Sequence, residues 1–230
     1  MKSINLIITF LILMLTISCD EKKPNVLAID VLLTLPADVY DQAIQLNRAI
    51  LEKNPDNLTL DENHIPHITL LQCYIVESDI PKVEQLLTGL YKTIKKDSLF
   101  ANELQYNNDK TENFASIGIE KSKALMTIHK KTIALLEPYI ITKGTQEAYV
   151  QNADGTPIDQ FTIDYVPKFV SHYSYDNFNP HISLGVAKTT LLDSLEQNTF
   201  RATKFQATGV SVYQLGNYGT ARKLLWEEAE

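Results

Sequence analysis

Two short segments hold the residues best suited to chemistry, Ile65-Pro66-His67-Ile68-Thr69-Leu70 and Asn179-Pro180-His181-Ile182-Ser183-Leu184. Each reads proline, histidine, isoleucine, hydroxyl residue, leucine. Side chains two positions apart in a strand share a face, so His67 projects with Thr69 and His181 with Ser183. Ile68, Leu70, Ile182 and Leu184 then point the other way, into a core. An imidazole, with an ordinary pKa of about 6.5, gives or takes a proton near neutrality. Two of them supply the base that activates an attacking oxygen and the acid that protonates a leaving oxygen, which is what phosphodiester cleavage needs. The hydroxyls of Thr69 and Ser183 are suited to donate to non-bridging phosphate oxygens and hold the phosphorus between the rings. A histidine followed two places on by serine or threonine is common by chance and alone reads as an ordinary strand residue. The repeat of the whole pattern singles these two out.

The elements around the motifs follow from hydrophobic periodicity. Val26 to Leu35 reads as a buried strand stopped by Pro36, and residues 37–53 as a helix with Val39, Ala43, Leu46, Ala49 and Ile50 on its apolar face. Strand Ile65–Val76, a helix from Ser78 to about Lys96, strands Leu99–Tyr106 and Phe114–Ile119 and a helix over about 121–141 come next. Residues 143–178 show no clear period and are rich in aromatics. Strand Pro180–Val186, helix 189–197, strand Lys204–Leu215 and strand Ala221–Trp226 close the chain. The loosely repeated pattern predicts an α+β fold of two pseudo-symmetric lobes, each an antiparallel-rich sheet with outer helices, around a central cleft.

With both motifs intact, the chain resembles the two-histidine phosphoesterase superfamily, which includes 2′-5′ RNA ligase-like proteins and cyclic nucleotide phosphodiesterases. The βα opening from Val26 and the closing stretch from Tyr213 to Ala221 extend the resemblance over most of residues 26–230. It implies the two-lobed fold, acid/base catalysis by His67 and His181, and phosphate binding by Thr69 and Ser183. Which histidine is the base depends on how substrate lies between them. The expected activity is metal-independent hydrolysis of a small nucleotide or RNA-end phosphodiester, a 2′,3′-cyclic phosphate or a 2′-5′ linkage. From a different class, a binding protein that captures a phosphorylated ligand without turnover also fits the sequence, as does an envelope scaffold.

Other residues have lesser claims. His64 borders the first motif, His129 reads as structural or exposed, and His172 lies among the aromatics of the 143–178 connection. Tyr165, Phe169, Tyr173, Tyr175 and Phe178 either stack on a nucleobase or pack the connection itself. Arg222 and Lys223 are candidate phosphate contacts. No His-Glu-x-x-His motif, paired cysteines or glycine-rich nucleotide loop occurs, so neither a metal nor a cofactor is expected.

The chain has 230 residues, 44% hydrophobic and 21% charged, an ordinary globular balance, with a formal net charge of −7. That charge disfavours a surface tracking a long nucleic acid but leaves room for a small phosphoester. No obligatory protein partner is evident. The N-terminus carries Lys2, an apolar run from Ile4 to Ile17, then Ser18-Cys19-Asp20. This is the form of a secretory signal, and the run is shorter than the roughly 20 residues that span a bilayer. Leu15-Thr16-Ile17-Ser18-Cys19 resembles the bacterial lipobox, which implies a signal peptide over 1–18, lipidation at Cys19, a tether over 19–25 and a membrane-anchored protein of the bacterial cell envelope. An ordinary secretory signal with an incidental cysteine is the alternative. Cys73 is the one other cysteine and is expected to pack as a small apolar group.

Overall fold

The computed structural model describes residues 24–229. The expected signal segment and Cys19 lie outside the described residues. Among the described residues eight strands and six α-helices follow in order: β1 (Val26–Thr34), α1 (Ala37–Leu51), β2 (Ile68–Val76), α2 (Ile80–Leu87), β3 (Leu99–Gln105), β4 (Glu112–Ile119), α3 (Lys123–Leu136), α4 (Gln160–Tyr165), α5 (Phe169–His172), β5 (His181–Lys188), α6 (Thr189–Asn198), β6 (Thr203–Phe205), β7 (Gly209–Leu215) and β8 (Ala221–Ala229). The strands form two four-stranded antiparallel sheets, in the orders β2-β1-β7-β8 and β5-β4-β3-β6.

Several elements differ from expectation: the strand foreseen from Ile65 begins at Ile68, with His67 immediately before it, and the 143–178 connection carries α4 and α5. The helix foreseen to Lys96 ends at Leu87, because the chain turns at Gly89, whose φ of 85° suits a residue without Cβ. The helix foreseen to residue 141 ends at Leu136, where Pro138 converts the chain to a 3-10 turn. Lys204–Leu215 is two strands in different sheets, not one. The chain crosses between sheets at residues 206–208, where Thr208 N–H donates to the Thr34 carbonyl. The lobes are therefore not the two halves of the sequence. One sheet draws β1 and β2 from the start and β7 and β8 from the end, and the other is built from the middle.

Alternation along β1 sorts its faces. Leu27, Ile29, Val31 and Leu33 join Val39, Ala43, Leu46 and Ile50 of α1 in the main core, all buried. Each valine, leucine or isoleucine among them stabilises the fold by roughly 1.5–3 kcal/mol. Ala28 turns the other way, to a smaller cluster with Tyr74, Tyr149, Ile158, Val166 and Leu215, so the aperiodic connection closes over the opposite face of this sheet.

The motif strands occupy equivalent places. β2 and β5 are each the edge of their sheet, and each carries a β-bulge at the leucine of its motif. In β2 the pairing steps from Val31↔Leu71 to Leu32↔Thr69, and in β5 from Ala115↔Gly185 to Ser116↔Ser183. Leu70 and Leu184 are thus the extra residues, and the period of two breaks there. Thr69 and Gln72, three apart, consequently face the same side. Gly185 meets the second bulge with a φ of 113°, and a Cβ there would lie 2.6 Å from Asn57 Oδ1.

A bulge removes a carbonyl from its ladder, and both freed carbonyls are met by a buried helix side chain. His129 of α3 donates from Nδ1 to the Leu70 carbonyl at 2.8 Å, and Asn47 of α1 donates from Nδ2 to the Leu184 carbonyl at 2.8 Å. Each side chain also holds the loop that leads into the opposite motif. His129 Nε2 accepts from Tyr175 N–H at 3.0 Å, and Asn47 joins Leu58 O and Leu60 N. The first motif is therefore braced to the approach of the second, and the second to the approach of the first.

Candidate active site

The two histidines are set by the same local device. His67 Nδ1 lies 2.7 Å from the Ile65 carbonyl and His181 Nδ1 lies 2.7 Å from the Asn179 carbonyl. A carbonyl only accepts, so both rings carry their proton on Nδ1 and leave Nε2 for other partners. The intervening prolines, Pro66 and Pro180, hold these approaches extended. His67, Thr69, His181 and Ser183 all line one cleft of about 1070 Å³, between the edge strands. Ile68, Leu70, Ile182 and Leu184 are fully buried behind it, as the alternation requires.

The histidines differ in what meets them. Asp30, in the middle of β1 and fully buried, places Oδ2 3.4 Å from His67 Nε2. The same oxygen accepts from the Thr69 hydroxyl at 2.7 Å and from Gln72 Nε2 at 2.9 Å, while Oδ1 is buried with no hydrogen-bond donor among the described residues. Burial disfavours a charged His67, but the hydrogen bond and charge of Asp30, helped by the Ile65 carbonyl, outweigh it and raise its pKa above the ordinary 6.5. Burial also acts on His181, and with the nearby His67 charge it lowers that ring's pKa despite the Asn179 carbonyl and Asp30. In the register of β4 on β5, the position matching Asp30 is Phe114, whose ring stands edge-on to His181 at 6.3 Å.

The hydroxyls differ too. Thr69 spends its proton on Asp30, whereas Ser183 makes no side-chain hydrogen bond among the described residues. His64 lines the cleft, and its Nε2 accepts from Arg222 Nη1 at 2.8 Å; burial, then Arg222, lowers its pKa. Arg222 is thus held on His64, and Lys223 is exposed on β8. His172 is exposed, lies outside the cleft wall and pairs with Ser171. His129 is fully buried and structural. Cys73 packs in the core, where burial and Asp30 push its thiol far up.

The aromatic side chains of the connection divide between the core and the open cleft wall. Phe169 and Phe178 are buried, Phe178 stacking on His129 at 3.8 Å. Tyr165 and Tyr173 stack on each other at 4.4 Å and line the cleft with the exposed Phe161. Burial, then Tyr173 and Asp30, push the Tyr165 phenol up to about 12, so it remains an O–H donor at neutral pH. Tyr218 joins this wall from a left-handed turn, φ 57°, held where its N–H donates to Thr162 Oγ1. No lysine or arginine is among the described residues lining the cleft, and Asp56 and Glu112 are its carboxyl-bearing members. No three His, Cys, Asp or Glu side chains among the described residues are grouped to hold a metal ion.

Asp30 is the principal site residue that the sequence motifs do not announce. Its signal is the one charged residue in the run Val26–Leu35, a burial that needs a partner.

No protein-family model and no curated protein sequence matches the chain. Its fold is shared with the first of the following solved structures. TT0787 of Thermus thermophilus superposes with a TM-score of 0.51 at 12% identity, covering 88% of this chain and 97% of that one. LigT of E. coli, solved with 3′-AMP, gives 0.47 at 12% identity, over 89% of this chain and 98% of its own. Usb1 of Kluyveromyces marxianus gives 0.37 at 11% identity, over 90% and 99%.

Proposed function

We propose that the chain is a two-histidine phosphoesterase that hydrolyses a small phosphodiester, a 2′,3′-cyclic nucleotide or a 2′-5′ dinucleotide, without a metal ion. The observation that carries this reading is the pair of imidazoles on opposed edge strands of one cleft, each oriented by the same Nδ1 bond to the carbonyl two residues back. His181, whose neutral form is favoured, takes a proton on Nε2 from water as the water oxygen bonds to phosphorus. His67, whose charged form is favoured, gives its Nε2 proton to the leaving ribose oxygen as the P–O bond breaks. One water is added overall, and the rings return to their starting states by exchanging one proton with solvent. Ser183 donates to a non-bridging oxygen, with Thr69 alongside.

The cleft wall supports a small ligand with one phosphodiester charge. It has aromatic faces for a base and, among the described residues, no lysine or arginine for a polyphosphate or a nucleic-acid tract. Hydrolysis, unlike ligation, needs only water as second reactant. Lipidation at Cys19 would hold this domain at a bacterial envelope membrane, on a tether over 19–25 that spans at most about 25 Å.

The test is turnover of a panel of 2′,3′-cyclic nucleotides and 2′-5′ dinucleotides by the full chain with chelator present. Phosphomonoester release from at least one member is expected. Tight binding across the panel with no product would point instead to ligand capture without turnover.

A further inference from the structure

The two motifs match in sequence, in edge position and in bulge, yet one position beside them breaks the symmetry: Asp30 next to His67, Phe114 next to His181. Oδ2 of Asp30 accepts from two donors, the Thr69 hydroxyl and the Gln72 amide, and stands 3.4 Å from His67 Nε2, an ion pair when that ring is protonated. Gln72 is fixed in turn by donating to the Gly219 carbonyl at 3.2 Å, so the carboxylate is held from β2 and from the turn before β8.

We propose that Asp30 is a positioning residue that sets the direction of proton transfer, holding the first motif as proton donor and leaving the second as acceptor, so that a phosphodiester is cleaved in one orientation. This rests on the hydrolytic reading above. Asp30 does not touch the reacting atoms. It acts through His67, whose Nε2–H it holds until a leaving oxygen replaces it, and through Thr69, whose hydroxyl it orients. Phe114 offers His181 an uncharged edge, which favours the neutral ring that a base requires. The titratable groups around this pair are His67 and Cys73 on the β2 side, His181 on β5 and Tyr165 on α4. Burial disfavours the thiolate and the phenolate, so Asp30 and the two imidazoles are left to set the local charge.

Two variants test this in opposite directions. Asp30→Asn keeps size and removes charge. It is expected to move the alkaline limb of kcat/KM to lower pH, with a loss of more than about tenfold at pH 8 and less than about threefold at pH 6. Phe114→Asp, at an exposed strand position that does not threaten the core, places a carboxylate beside His181 and is expected to move the acidic limb to higher pH. Imidazole NMR titration reads the same effect without substrate: His67 keeps its proton to higher pH than His181, and the gap narrows in both variants. Profiles that overlay the wild type after scaling, or rings that titrate together in the wild-type protein, overturn the proposal. If wild-type turnover is absent while the NMR gap is present, the hydrolytic reading fails and the role of Asp30 in ordering the two rings stands.

Discussion

Replacing His129 by alanine should uncouple the two motifs, and the cost can be worked from its contacts. The substitution strips the Leu70 carbonyl of its donor and the Tyr175 N–H of its acceptor, both at a fully buried side chain. Each orphaned backbone group costs about 1–3 kcal/mol, and loss of the stack on Phe178 adds about 1 kcal/mol. A total near 5 kcal/mol is a large fraction of the roughly 5–15 kcal/mol that holds a domain folded. Urea unfolding followed by the fluorescence of Trp226, the one tryptophan, measures it. A loss below about 1 kcal/mol would refute the brace. The pH dependence gives a second check. Burial lowers the pKa of His129 below 6.5 and so favours the neutral ring, whose Nε2 lone pair Tyr175 uses. The contribution of this ring is therefore complete above the unfolded value of 6.5 and declines as pH falls from there toward the depressed folded value.

Three further outcomes follow from the site. Activity should follow a bell in pH, rising on the acidic side as His181 loses its proton and falling on the alkaline side as His67 loses its own, with limbs on either side of 6.5; a pH series of kcat/KM shows it. Ser183→Ala should cost phosphate binding with stability changed by less than about 0.5 kcal/mol, because its hydroxyl holds no other side chain, and KM against urea midpoint separates the two. Turnover of a cyclic mononucleotide should change less than about threefold between 50 and 200 mM salt, since no lysine or arginine is among the described residues lining the cleft; steady-state rates across that range check it.

The catalytic candidates were legible in the sequence because His67 and His181 stand at the very start of two edge strands, where i and i+2 spacing is enough to place His67 with Thr69 and His181 with Ser183. The sequence also carried the two-lobed α+β architecture and the longer elements, but not α4 and α5, which fall in a stretch without hydrophobic period. It did not show which strands share a sheet, since antiparallel pairing brings β7 and β8 back to β1 from far along the chain. Lys204–Leu215 reads as one strand because the apolar pattern runs on through Ala207 while the chain changes sheets. Asn47 and His129 act on carbonyls freed by bulges, and a bulge leaves no mark in hydrophobic periodicity until the pairing register is known. Asp30 was visible as a charge in a buried strand. Its partner was not, because the contact depends on the bulge at Leu70 that turns Thr69 and Gln72 to one side.

The central claim, that two imidazoles share one phosphodiester cleavage, is tested most directly by turnover of a 2′,3′-cyclic nucleotide by His67→Ala and His181→Ala beside the wild type, with chelator present and folding confirmed by urea unfolding. Each variant is predicted to lose between about 10² and 10⁴ in kcat while remaining folded. Turnover within about threefold of wild type in either folded variant would contradict the account.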